Sequence, residues 1–282
     1  MDRSIAPEYR QAEGIDLRFP EEIELQNGVM LYHFKDVKDE SVKLDISWNA
    51  GTKYQSTILQ ASFTNKLLFS GTQNKTAQQI SEEVDFYGGY FQKNIDKDHA
   101  GITLYGLTET IPSIFSIISE AIENCEIPES EFKKEVEVSL NHFRIESEKV
   151  KTLCRRQFSQ SLFGSQTAYG AVASEEDFHA LRREDLSDFL QSFYHHNRPT
   201  LFLCGQVSDS FIKELRDWSG KFPAEQKKSR SELEEQEVGA VHQEQEGAIQ
   251  SAIRIGRRMF DKNHPDYFPF QLLNTVTQPL TK

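Results

Sequence analysis

The chain opens on alternation. In EEIELQNGVMLYHFKD two alternating runs flank Asn27-Gly28, a pair that tolerates positive φ, and this predicts a tight hairpin. SVKLDISWNAGTK places Val42, Leu44, Ile46 and Trp48 at every second position, the pattern of a strand with one buried face. The period then lengthens. Ile58 to Phe69 has apolar residues at helical spacing, with Gly71 as the stop. Thr76 with Gln79 three residues on predicts a capped start for TAQQISEEVDFYGGYF, and Gly88-Gly89 ends it. HAGITLYGL is strand-like again, and IPSIFSIISEAIENC is an amphipathic helix. From Glu129 to about Phe163 no Gly or Pro interrupts the pattern, which predicts one long helix. SEEDFHALRREDLSDFLQSFYHH holds two shorter helical pieces, their starts marked by Ser174 and by Glu184-Asp185. PTLFLCGQV reads as a nearly all-apolar strand, and SDSFIKELRDWSGKF as another amphipathic helix.

After Phe222 the pattern breaks. PAEQKKSRSELEEQE is polar and charged, as expected of a linker. GAVHQEQEGAIQSAIRIGRRMF resumes strand-like alternation, and HPDYFPFQLLNTV starts a helix. The order of elements predicts an α+β domain over residues 1–222, with an N-terminal arm of about 1–20. A charged linker follows over 223–237, and 238–282 reads as the beginning of a second domain that is not completed.

Composition narrows the function classes. Of 282 residues, 37% are hydrophobic and 27% charged, enough apolar material for a sizeable core. The formal charge of −12 argues against nucleic-acid and anionic-membrane partners, since no basic excess exists to neutralise phosphates. No apolar run approaches the roughly 20 residues that span a bilayer, and MDRSIAPEYRQAEGIDLRFPEE lacks the apolar stretch of a secretory signal. Cys125, Cys154 and Cys204 are scattered, odd in number and set among apolar residues, so they are expected to be buried, reduced thiols. These features together lead to an expected cytoplasmic location.

Most of the chemistry-bearing residues have ordinary readings. His99 follows Asp96 and Asp98 in what reads as a solvated turn. His195-His196 sit at the end of a helical stretch, where a cation suits the helix C-terminus. No phosphate-loop motif occurs, and no Ser/His/Asp or Cys/His constellation can be assembled.

One set of segments resembles a known family. Gly51-Thr52 closes the early strands, and NKLLFSGTQNKT, VDFYGGYFQKN, LFGSQTAYGAVASEEDFHALRREDLSDFLQSFY, NRPTLFLCGQV and AIQSAIRIGRRMFDKNHPDYFPFQLLNTV follow in order. Together they are similar to the pitrilysin/insulinase superfamily of zinc peptidases, in the branch that includes mitochondrial processing peptidase. The resemblance implies a LuxS- or processing-peptidase-like domain, its antiparallel or mixed sheet packed against helices, followed by an incomplete second copy. Active members carry the inverted motif His-x-x-Glu-His on a helix. Two imidazoles at i and i+4 share a helix face and can reach one zinc, with the Glu beside them as general base.

Aligned by the LLFSGT tail, the two His positions fall on Ser62 and Lys66, and the Glu on Asn65. The third ligand falls near His142, and the family's accompanying acid falls on the retained Glu135. Ser62 offers a neutral hydroxyl, Asn65 is no base, and Lys66 brings an ammonium to a cation's place. The resemblance thus implies a vestigial metal site at Ser62, Asn65, Lys66, Glu135 and His142, with no catalytic residues and no cofactor, the family's zinc being lost. The strand Tyr90, Phe91, Gln92, Lys93, Asn94 is the candidate peptide-docking strand. Two-subunit members pair a catalytic chain with one lacking the motif, so the expected protein is a non-catalytic subunit. It would bind peptide or pair with a catalytic peptidase subunit or with itself. Two alternatives stand beside this: a divergent zinc-dependent metalloendopeptidase with altered ligands, and a truncated remnant without activity.

Overall fold

The computed structural model describes residues 18–35, 39–225 and 239–277. Residues 1–17 of the expected arm and 226–237 of the expected linker lie outside the described residues.

The hairpin forms as its turn chemistry requires. β1 (Glu21–Glu24) pairs antiparallel with β2 (Met30–Phe34), and Asn27 (φ 55°) and Gly28 (φ 70°) take the left-handed conformations between them. β3 (Ser41–Trp48) buries Val42, Leu44, Ile46 and Trp48 as its alternation predicts. β4 (Tyr90–Ile95), β5 (Ala100–Leu107) and β6 (Thr200–Cys204) complete a six-stranded sheet in the order β1-β2-β6-β3-β5-β4. β2 and β6 run parallel and every other pairing is antiparallel, so the sheet is mixed. Register stacks the core in rows. Leu44 lies between Leu104 and Leu203, and Ile46 between Ile102 and Leu201.

Some of the helices cover that apolar face. α1 (Gln60–Lys66), α2 (Ala77–Phe86) and α3 (Ile111–Glu123) precede α4 (Glu129–Ser147) and α5 (Val150–Phe163). α6 (Glu175–Ala180), α7 (Arg183–Leu190) and α8 (Asp209–Ser219) follow, and α7 runs on as a π turn to His195. Ile114, Phe115 and Ile118 of α3, Phe189 of α7, Tyr194, and Phe211, Leu215 and Trp218 of α8 join the strand residues in one buried cluster. Caps fix several starts. Thr76 and Gln79 form the expected reciprocal box, and Ser208 Oγ accepts from the Phe211 amide.

Contacts divide the chain into two compact units. The described residues of the first lie within Met1–Val136 and Glu175–Arg230, and those of the second within Glu137–Ser174 and Ser231–Lys282. Three features depart from the sequence pattern. The helix expected over 58–69 is only α1, because Leu59 is left-handed (φ 76°) and Leu67–Phe69 form turns. The single long helix expected from Glu129 is two, because Lys149 is extended. There Ser147 Oγ donates to the Phe143 carbonyl and accepts from Arg156 Nη1, and the Arg156 guanidinium stacks over Phe143. The strands expected after Gly239 are absent among the described residues. Residues 239–266 include no strand, and only α9 (Tyr267–Thr277) is regular. Alternation alone makes no ladder; a strand needs a neighbour to bond. The three cysteines are free thiols of intermediate exposure, less buried than expected.

Candidate functional site

α1, β4 and the first turns of α4 bring the site residues of the first unit together. The close approach of two loops sets β4 in place. The amides of Gly51, Thr52 and Lys53 donate to the carbonyls of Asp98, Asp96 and Lys97 in the β4–β5 turn. A Cβ on Gly51 would lie 2.5 Å from the backbone of Lys97 and Asp98, so only glycine allows this contact.

β4 is the last strand of the sheet, with β5 on one side. Register assigns its faces. Phe91, Lys93 and Ile95 lie opposite Leu104, Ile102 and Ala100, on the helix-covered side. Tyr90, Gln92 and Asn94 lie opposite Tyr105, Thr103 and Gly101, on the other. Asn94 donates to Thr103 Oγ1 at 2.8 Å, and Thr103 donates on to Asp45.

The three positions matched to the metal motif are each engaged elsewhere. The Ser62 hydroxyl donates to the Leu59 carbonyl at 3.1 Å. Asn65 is buried, and its amide donates to the Tyr194 hydroxyl at 3.1 Å. Lys66 Nζ donates to Glu135 Oε1 at 3.0 Å. Its ammonium also lies 5.3 Å from the centre of the Phe63 ring. These donors do not fit a zinc ion, which needs several imidazole, thiolate or carboxylate lone pairs turned to one point. Among the described residues no three His, Cys, Asp or Glu side chains converge in that way. His142 is on α4 in the second unit, exposed, with its ring 3.9 Å from Glu146.

Lys93 adds a second cation that the alignment with the metal motif does not supply. Its ammonium donates to the main-chain carbonyl of Lys66. Burial lowers its pKa, with Lys66 acting in the same direction and Glu135 opposing both. The sequence holds a signal for it: a lysine between Phe91 and Ile95 on the apolar side of a strand. Cys125 stands near Lys93, and burial pushes its thiol up to about 12. His99 is exposed in the β4–β5 turn, where its amide donates to Asp96. His195 bonds the Ile122 carbonyl at 2.8 Å.

Two family models match the chain. Insulinase (peptidase family M16) covers residues 31–173, and the peptidase M16 inactive domain covers residues 180–278. The chain belongs to peptidase family M16. Among curated M16 relatives, an uncharacterized zinc protease, YmxG, of Bacillus subtilis is 22% identical over 89% of this chain and 62% of its own length. Bovine cytochrome b-c1 complex subunit 1 is 22% identical over 81% of this chain and 49% of its own length. Subunit alpha-1 of the mitochondrial-processing peptidase of Dictyostelium discoideum is 22% identical over 74% of this chain. The chain thus spans 62%, 49% and 32% of the lengths of these three relatives.

Solved structures agree on the fold. The peptidase M16 inactive domain from Pseudomonas fluorescens superposes with a TM-score of 0.68 at 17% identity, over 77% of this chain and 54% of that one. A protease from Helicobacter pylori gives 0.65 at 15%, over 78% of this chain and 54% of that one.

Proposed function

We propose that this M16 chain is a non-catalytic, peptide-binding protein that works paired with an active peptidase chain. The observation that carries this reading is the engagement of Ser62, Asn65 and Lys66. A hydroxyl bonded within its own helix, an amide committed to a core tyrosine and an ion-paired ammonium stand where two metal ligands and a general base are needed. In this reading Glu135 and His142 stand at the family's acid and third-ligand positions along the sequence. Among the relatives are named subunits of larger assemblies, which supports a partner chain. The edge position of β4 supports peptide docking, because an extended peptide can add to a sheet edge through its main chain.

Protein purified without a metal-affinity tag tests this reading. Elemental analysis should give no stoichiometric zinc, and the protein alone should not cleave peptides even with zinc added. Proteolysis abolished by chelator and by Lys66→Ala would overturn the proposal. The name of the Bacillus relative favours the second reading, a zinc-dependent peptidase with altered ligands. Stoichiometric zinc would establish it. Mass spectrometry of the native protein would show any co-purifying catalytic subunit.

A further inference from the structure

We propose that Lys66 and Lys93 form a subsite for a carboxylate of a peptide laid along the β4 edge. This rests on the reading of β4 as a peptide-docking strand and gives that strand a chemical preference.

The two lysines come from different elements and meet at one point. Lys66 is the last residue of α1, and Lys93 is central in β4. The Lys93 ammonium is anchored on the Lys66 carbonyl, and the Lys66 ammonium on Glu135. Two cations from different elements thus stand beside Glu135, in a chain whose formal charge is −12. Crowding two ammonium groups at a half-buried place is unfavourable, and an incoming anion relieves it. Burial depresses the Lys93 pKa and Lys66 adds to the effect, while Glu135 and Cys125 oppose it. An ammonium has three donors, and the Lys66 carbonyl takes one from Lys93. The Lys66 side chain is 49% exposed, so the pair is open to an incoming group.

Placement decides what kind of anion arrives. Lys93 belongs to the strand that ends the sheet. A peptide paired along β4 would place alternate side chains, or its own terminus, on the side that Lys93 occupies. Two sources supply the required group: the free C-terminal carboxylate, and an Asp or Glu side chain within the peptide. Both present the same two oxygens to the two ammonium groups.

Three pools of fluorescein-labelled octapeptides, randomised over Ala, Val, Leu, Thr, Ser and Tyr, test this by anisotropy on the full chain. The first ends in a free carboxylate, the second is amidated, and the third is amidated with one central Glu. At least one acid-bearing pool should bind about tenfold more tightly than the amidated, acid-free pool. The pool that does so identifies the source. Lys93→Met and Lys66→Met should remove the difference, while Lys93→Arg keeps it. Glu135→Gln should sharpen it, because a competing carboxylate is gone; a mere loss of folding would not raise affinity. Equal binding of all three pools, reduced by Gln92→Pro in β4, would overturn the carboxylate subsite and leave peptide docking intact. No binding of any pool would overturn both.

Discussion

The Asn65 amide reaches the Tyr194 hydroxyl at 3.1 Å inside the core. Tyr194 is fully buried against Trp48 and Phe189, and burial raises its phenol pKa, so the hydroxyl stays protonated. Introducing a carboxylate by Asn65→Glu therefore puts a charge into the core. The expected cost is about 3 kcal/mol of unfolding free energy. Tyr194→Phe should cost about 1–2 kcal/mol by leaving the amide without its acceptor. Urea unfolding of both variants checks this. An Asn65→Glu protein with the wild-type midpoint would mean that the side chain turns out of the core at little cost.

Lys66 and Glu135 stand in contrast. Their side chains are 49% and 28% exposed, so water screens the pair. A double-mutant cycle of Lys66→Met with Glu135→Gln should give a coupling below about 1 kcal/mol, falling further with added salt. A salt-independent coupling of several kcal/mol would show that the pair holds the fold together.

Cys125 links the site to pH. Burial pushes its thiol up to about 12 from an ordinary value of 9.0. A folded pKa above the unfolded one gives stability that is complete below about pH 9. It is lost as pH rises toward 12, because the unfolded thiol ionises first. The stability difference between wild type and Cys125→Ala should therefore shrink above pH 9, by at most about 1.4 kcal/mol per pH unit. A difference that stays constant from pH 8 to 10.5 would show that the thiol does not resist ionisation.

Much of the first unit could be read from the chain because its signals are local. The alternation of Val42, Leu44, Ile46 and Trp48, the Thr76–Gln79 box and the Ser208 cap each act within a few residues, and each forms as expected. The break between α4 and α5 has no such mark. Arg156 stabilises it by reaching back to Ser147 and Phe143, a tertiary contact that composition does not announce. The alternation of Ile249, Ile253 and Ile255 misleads for the opposite reason. The pattern is present, but the pairing that would make it a strand is absent among the described residues. At the site, the resemblance named Lys66 and Glu135 separately, and the structure shows that they pair. Lys93 was named only as part of a docking strand, because its role depends on which face of β4 meets α1.

The segment after Gly239 gives the last prediction. Ile249, Ile253 and Ile255 are 99%, 82% and 94% exposed, and Phe268, Leu272 and Val276 of α9 are exposed as well. So many apolar side chains in a short stretch mark an association surface, since isolated exposed apolar residues are ordinary but clusters are not. Alone in solution, the chain has only other copies of itself to offer. Light scattering should therefore give a mass above the 32.5 kDa of one chain, increasing with concentration. Ile253→Asp combined with Leu272→Asp should return the mass to one chain, because a charge on each part of the surface is costly to cover. Both positions are exposed, so the folded state should lose little stability, and circular dichroism checks that. A wild-type mass of one chain at every concentration would show that this surface is not adhesive. If the double variant still associates, the contact lies elsewhere. If a catalytic partner is found, the same two substitutions then ask whether it binds here, since a surface that self-associates in isolation would compete with that partner.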